Sequence, residues 1–195
     1  ASLNRTLAAH GLPGHSDRAV RGFVGDGIRN LILRALPAGS DASLFESMLA
    51  LYKKDYGLSW PEGTAPYPGI VGMLENLGLR GPDLAVLSNK SHEFTVEIVA
   101  RVFPGIRFAC VEGQRDGQPQ KPDPHGALKV SAAAGVAPCD CALVGDSTMD
   151  IETALRAGME AVGVAWGYHD PGRLRAAGAV EVVSDPAELS ARFSR

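Results

Sequence analysis

The side chains best placed to do chemistry in this sequence lie in three short stretches, each following an apolar run or a proline-fixed turn. The clearest is Ala142-Leu143-Val144-Gly145-Asp146-Ser147-Thr148-Met149-Asp150. An apolar strand runs into Gly-Asp, and a second acid follows at the start of a helix. Two carboxylates so spaced can share a hard cation such as Mg2+, directly or through water. Asp146, in the strand-end loop, is the better direct ligand, with Asp150 as a second ligand or as the group that orients a metal-bound water. A helix start enriched in acids is the competing explanation, although Gly145 argues for a close backbone approach.

The second stretch is Ser88-Asn89-Lys90, after the apolar residues 84–87. It would place a hydroxyl, an amide and a helix N-terminus together, which makes a phosphate cradle in which Ser88 donates its O–H. Ser88 or Asn89 acting only as a helix cap explains the same residues. The third is Gln120-Lys121-Pro122-Asp123-Pro124. Prolines fix the backbone around Lys121, so its ammonium can neutralise a phosphoryl group or a carboxylate at a defined place. An exposed lysine in a turn, with Asp123 capping the next helix, is the alternative.

The elements that must position these residues follow from periodicity. Residues 1–62 read as a small helical unit: apolar positions recur at helical spacing in 3–8, 28–35 and 44–52, with Gly, Pro and Ser between them. Residues 61–69, rich in proline and glycine, read as a hinge. From residue 63 to 195, short apolar runs alternate with helical patterns. Strands are expected at 84–87, 106–111, 142–144, 161–165 and 180–183, and helices at 96–102, 124–134, 151–157, 174–177 and 186–193. That alternation predicts an α/β fold with a doubly wound, Rossmann-like parallel sheet, whose ligands bind at the carboxyl ends of the strands.

Composition limits the function. The 195 residues are 45% hydrophobic and 21% charged, with net charge −3. No basic excess points to nucleic acid, and no apolar run reaches membrane-spanning length. Three cysteines, Cys110, Cys139 and Cys141, are an odd number in a chain of this size, which fits a reducing cytoplasm better than a disulfide framework. Cys110 and Cys141 are expected as small buried strand residues.

In this order, the three stretches resemble the motifs of the haloacid dehalogenase superfamily: Leu87-Ser88-Asn89-Lys90 its second, Lys121-Pro122 its third, and Gly145-Asp146-Ser147-Thr148-Met149-Asp150 its fourth. The helical first part looks like the family's α-helical cap. Val24-Gly25-Asp26-Gly27-Ile28-Arg29 looks like the cap segment that faces the active site in phosphoglycolate-phosphatase-like members, which would let Arg29 read the substrate. The resemblance implies a phosphatase for a small phosphate monoester such as 2-phosphoglycolate. Ser88, Asn89 and Lys121 would hold the phosphoryl group, and Asp146 and Asp150 would hold Mg2+. Runners-up are another sugar-phosphate or nucleotide phosphatase, a phosphomutase or a dehalogenase.

One family feature is absent. The nucleophilic Asp and the acid/base Asp form an Asp-x-Asp-Gly motif on the family's first strand, and this sequence contains no Asp-x-Asp pair. The resemblance places that motif upstream of Ala1. The expectation is therefore an inactive chain lacking its first core strand. The alternative is a catalytically dead domain that binds phosphate or a partner.

Overall fold

The fold is seen in a computed structural model that describes residues 1–194. Four helices come first: α1 (Ser2–Ala9), α2 (Asp17–Phe23), α3 (Gly27–Ala35) and α4 (Ala42–Ser59). Leu3, Leu7, Leu31, Ile32, Met48 and Leu49 of α1, α3 and α4 bury one another in a hydrophobic cluster of their own. Ser16 and Asp41 cap α2 and α4 by accepting backbone N–H bonds from Ala19 and Leu44. Helix α2 is missed by apolar periodicity because it carries two arginines and a glycine and buries no residue.

A 3-10 turn at Trp60–Glu62 and a proline-rich link lead into the α/β part. Gly69, with φ of 83°, takes the left-handed conformation that starts α5 (Ile70–Arg80). Strands β1 (Ala85–Ser91), β2 (Cys110–Gln114), β3 (Ala142–Gly145), β4 (Glu160–Val164) and β5 (Glu181–Val183) then alternate with α6 (His92–Val102), α7 (His125–Ala134), α8 (Thr148–Ala157) and α9 (Pro171–Ala176). Helix α10 (Pro186–Phe193) follows β5. Every strand pair is parallel, as expected when each connection is a helical crossover.

Helices cover both faces of β3–β5. Met73, Leu77 and Leu189 of α5 and α10 pack on Val162, Val164 and Val183. Ala127, Ile151, Ala154 and Leu174 of α7, α8 and α9 pack on Ala161 and Val182 from the other side. Gly135 and Gly158, both with φ of 70°, end α7 and α8 at the positions the sequence marks.

Two strands depart from expectation. The second begins at Cys110 rather than 106, because a turn after α6, with Ile106 N–H donating to Phe103 O, uses up the first apolar residues. It continues into Glu112-Gly113-Gln114, where apolar content gives no signal. Strand β1 runs on through the polar Ser88–Ser91, with a register shift after Leu87. Cys110 and Cys141 are half-buried rather than buried, and burial pushes the Cys110 thiol up.

The ladder divides the strands into two sets, β1-β2 and β3-β4-β5. β1 and β3 each have one edge without a ladder partner, yet Leu87 of β1 and Leu143 of β3 pack against the same cluster. Val144 of β3 is 39% exposed, whereas Val162 beside it in β4 is fully buried.

Leu174 is fully buried and its side chain lies against Gly163. Replacing it with Ala should destabilise the protein by roughly 2–5 kcal/mol. The same change at the exposed Leu58 should stay within about 0.5 kcal/mol. Urea denaturation of the two variants checks this.

Candidate active site

Lys121 is the centre of the site. Its ammonium donates to Asp150 Oδ1 at 2.6 Å and to the Leu87 carbonyl at 3.2 Å. It therefore ties the middle of β1 to the start of α8, which follows β3. Its side chain is only 14% exposed. The Lys121-Pro122 peptide bond is cis.

Asp150 is buried, and both of its oxygens are engaged. Oδ1 takes Lys121, while Oδ2 accepts from Ser147 N at 3.0 Å and Ser147 Oγ at 2.6 Å. Ser147 in turn caps α8, so the two residues form a capping box. Burial alone would push the Asp150 carboxyl up. Lys121 and Ser147 outweigh it and hold the group below the usual carboxylate range. Gly145 is required beside it, because a Cβ there would overlap the Asp150 side chain.

Asp146 sits at the end of β3 and is held from the loop after β4. Its Oδ2 accepts from Tyr168 N at 3.0 Å, and its main-chain carbonyl accepts from His169 N at 3.0 Å. A Cβ on Gly167 would collide with the Asp146 carboxylate. His169 Nδ1 accepts from Thr148 N at 3.0 Å, which locks the loop onto the start of α8. Apolar strand β4 runs straight into Trp166-Gly167-Tyr168-His169, so the strand-end argument that picked out Asp146 also applies to this loop.

Ser88 lies on β1 beside Leu87. Its Oγ accepts from Lys90 N at 3.1 Å, which leaves the hydroxyl proton free to donate. Asn89 is arranged otherwise than a ligand contact requires. Its side chain is buried and fully employed: Nδ2 donates to Gly25 O at 3.1 Å and Lys121 O at 3.0 Å, and Oδ1 accepts from Lys121 N at 2.8 Å. Neither Ser88 nor Asn89 caps α6, because β1 continues to Ser91. Asp123 accepts from His125 N at 2.9 Å at the start of α7.

Arg29 is not brought to this cluster. Its guanidinium pairs with Glu46 at 3.1 Å and lies 4.6 Å from the centre of the Phe45 ring, both on α4. Asp26, at the N-cap position of α3, makes no side-chain capping bond and pairs with Arg34 instead. What reaches the site from the helical unit is the backbone of the Gly25–Gly27 turn. Gln120 Nε2 donates to Asp26 O at 3.0 Å, and a Cβ on Gly27 would lie 2.8 Å from Gln120 Oε1. A glutamine in a proline-rich turn gives no sequence signal for such a role.

Lys121 thus bonds Asp150 and the carbonyl of Leu87, the residue before Ser88 on β1, and Asp146 follows the carboxyl end of β3 next to Ser147, which bonds Asp150; a parallel sheet offers its ligand site at the carboxyl ends of its strands. A surface hollow of about 560 Å³ lies elsewhere: Glu160 and Glu181 line it at the amino ends of β4 and β5, and both pair with Arg192. Among the described residues no cluster of three or more His, Cys, Asp or Glu side chains forms a ready metal cage. No helix is long and apolar enough to cross a membrane.

Residues 1–164 match the haloacid dehalogenase-like hydrolase family, and the chain belongs to that family. A phosphoglycolate phosphatase of Pseudomonas putida is 35% identical over 174 residues, covering 87% of this chain and 64% of that protein. One from Mesorhizobium japonicum is 33% identical over 172 residues, covering 87% and 76%. The chain therefore spans just under two thirds of the first of these relatives. A crystal structure from Lactobacillus delbrueckii subsp. bulgaricus, of a candidate phosphoglycolate phosphatase, aligns with a TM-score of 0.88 at 25% identity. It covers 100% of this chain and 90% of that one.

Asp150→Asn should cost roughly 3–5 kcal/mol at pH 7, because it leaves the Lys121 ammonium largely buried without its counter-charge. The carboxyl is depressed in the folded state. Its stabilisation is therefore present above the unfolded value of about 3.9 and is lost as pH falls through the lower folded value. Denaturation midpoints measured from pH 6 down to pH 2 should fall less steeply for the variant than for the wild type.

Proposed function

We propose that this chain is the cap and most of the core of a phosphatase that hydrolyses a small phosphate monoester, 2-phosphoglycolate or a close relative, through an aspartyl-phosphate. The observation that carries the reading is the Lys121 ammonium. An ammonium has three donors; two are spent on Asp150 and Leu87 O. The third is left for a phosphoryl oxygen at the strand ends, within one residue's reach of the Ser88 hydroxyl. The names of the relatives supply the ester class.

The residues also fit Mg2+, in part. Asp146 keeps one oxygen, Oδ1, to which no donor among the described residues bonds. Mg2+ is commonly held by one or two carboxylates plus phosphate oxygens and waters, so Asp146 is the ligand this chain would provide. The bonds of Asp150 make it the anchor of Lys121. Bound Mg2+ would neutralise charge on the phosphoryl oxygens.

Phosphoryl transfer depends mostly on positioning and electrostatics. In-line attack by a carboxylate oxygen on phosphorus would break the bond to the ester oxygen, and water would then cleave the acyl phosphate. Lys121 and Ser88 would hold the phosphoryl oxygens through both steps. The helical unit of residues 1–62 would act as the cap, presenting the Gly25–Gly27 backbone to the site and excluding bulk water.

The attacking carboxylate is assigned to a strand from outside these 195 residues, lying between β1 and β3. The unshared edges of β1 and β3, the exposure of Val144 and the absence of any Asp-x-Asp pair support this. The same absence favours one rival, a domain that binds phosphate without turning it over.

The test is to compare the 195-residue chain with the product of its reading frame extended upstream. The chain alone should release no phosphate from 2-phosphoglycolate with Mg2+ present, and a product carrying an in-frame Asp-x-Asp-Gly strand should be active. In the active product, Asp146→Asn should lower kcat by about a hundredfold or more and raise the Mg2+ needed, while Cys139→Ala changes neither. An extended frame with no such strand supports the binding domain, and turnover by the 195-residue chain overturns the assignment of the nucleophile.

A further inference from the structure

The polar side chain of Asn89, 7% exposed, binds no other side chain. All three of its hydrogen bonds go to backbone, and they join two parts of the molecule far apart in sequence. Two of them clasp Lys121 from both sides of its residue, with Oδ1 on the N–H and Nδ2 on the carbonyl. The third holds Gly25 O in the helical unit. Gln120, next to Lys121, adds a parallel strut to Asp26 O. The methyl of Met149, between Asp146 and Asp150, lies against Gly25, 3.1 Å from where its Cβ would be.

We propose that Asn89 is a positioning residue that couples docking of the Gly25–Gly27 turn to the placement of Lys121, so that the phosphate site is complete only when the helical unit is seated. The inference rests on reading Lys121 as a phosphoryl-binding group. The Nδ2 amino group is shared between the Lys121 and Gly25 carbonyls. When the turn leaves, one of its two acceptors goes, the amide is free to rotate, and the hold on Lys121 loosens. A buried donor or acceptor left unmatched is costly, which makes the half-docked arrangement unfavourable. Because Asn89 and Gln120 grip carbonyls, the turn is read by backbone position. Gly27, with φ of 81° and Gln120 Oε1 against its missing Cβ, is the residue whose identity matters.

Two substitutions separate the two arms. Asn89→Asp keeps the acceptor for Lys121 N and removes the donor to Gly25 O and Lys121 O. Gln120→Ala removes only the strut to Asp26. Three NMR readouts are taken on the 195-residue chain: hydrogen exchange at the Lys121 amide, the Met149 methyl resonance, and the shifts caused by inorganic phosphate with Mg2+ present.

Asn89→Ala should speed Lys121 amide exchange by about tenfold, as expected for loss of one buried hydrogen bond, and Asn89→Asp, which keeps the acceptor but loses the hold on the turn, should restore only part of that protection. Both Asn89 variants and Gln120→Ala should move the Met149 methyl, and in wild type phosphate should perturb the Lys121 and Gly25 amides together. The coupling is overturned if Asn89→Asp leaves the Met149 methyl and the phosphate response of Gly25 as in wild type, or if Asn89→Asp protects the Lys121 amide as fully as wild type does. If Asn89→Ala does not fold, Asn89→Asp and Gln120→Ala still decide the question. A wild type whose Lys121 amide ignores phosphate, with the exchange and methyl results as expected, removes the phosphatase reading while leaving the clasp.

Discussion

A buried ion pair, together with the apolar cluster that Leu87 and Leu143 share, joins the two halves of the strand system. The ladder runs β1-β2 on one side and β3-β4-β5 on the other, with no backbone pairing between them. Lys121 crosses that division by bonding Leu87 O on β1 and Asp150 at the start of α8. Neither group could stand there alone, since an unpaired charge out of water costs several kcal/mol. Asp150 tolerates burial because Ser147 supplies its other oxygen with two donors. The pair is thus a structural joint, and its position at the strand ends is also what offers an ammonium to a ligand.

The helical unit obeys a different logic. Its core of Leu3, Leu7, Ile32 and Met48 is separate from the two clusters of the α/β part, so its stability comes chiefly from itself. Its hold on the core at the site includes Asn89 and Gln120 on carbonyls of the Gly25–Gly27 turn and Lys90 on Tyr56 OH at 2.6 Å, beside apolar contacts of Met149 with Gly25 and of Phe94 with Tyr56. Hydrogen bonds of this kind contribute about 0.5–1.5 kcal/mol each, far less than a buried apolar interface.

Much of this was readable from residue type and spacing. Apolar runs ending in Gly-Asp and Ser-Asn, and a proline-fixed turn at Lys-Pro, singled out Asp146, Ser88 and Lys121, because strand ends in a parallel sheet share one edge whatever their separation in sequence. Glycine C-caps at Gly135 and Gly158 fixed two helix ends correctly. Division of labour within the site was not readable. Asp146 and Asp150 look alike in sequence, and only the capping box and Lys121 show that one is consumed by structure. Arg29 faces α4 because Glu46 and Phe45 lie one helix away, a tertiary fact that no motif contains. Strand β2 was displaced because its second half is Glu112-Gly113-Gln114, where buried Glu112 is paired with Lys129 at 2.5 Å instead of being replaced by an apolar residue.

The charge count at the site limits what it can bind. Lys121 is cationic but Asp150 cancels it, and Asp146 adds a negative charge, so these three groups together carry about one net negative charge near pH 7. An anionic phosphate entering such a place meets no attractive field from them. It gains one ammonium donor, a hydroxyl and backbone N–H groups, which orient it without drawing it in. A divalent cation at Asp146 would reverse the sign, which is the electrostatic reason a carboxylate belongs beside the phosphate-binding lysine. The geometry of this chain alone is therefore that of a site that orients a phosphoryl group and relies on a cation for attraction.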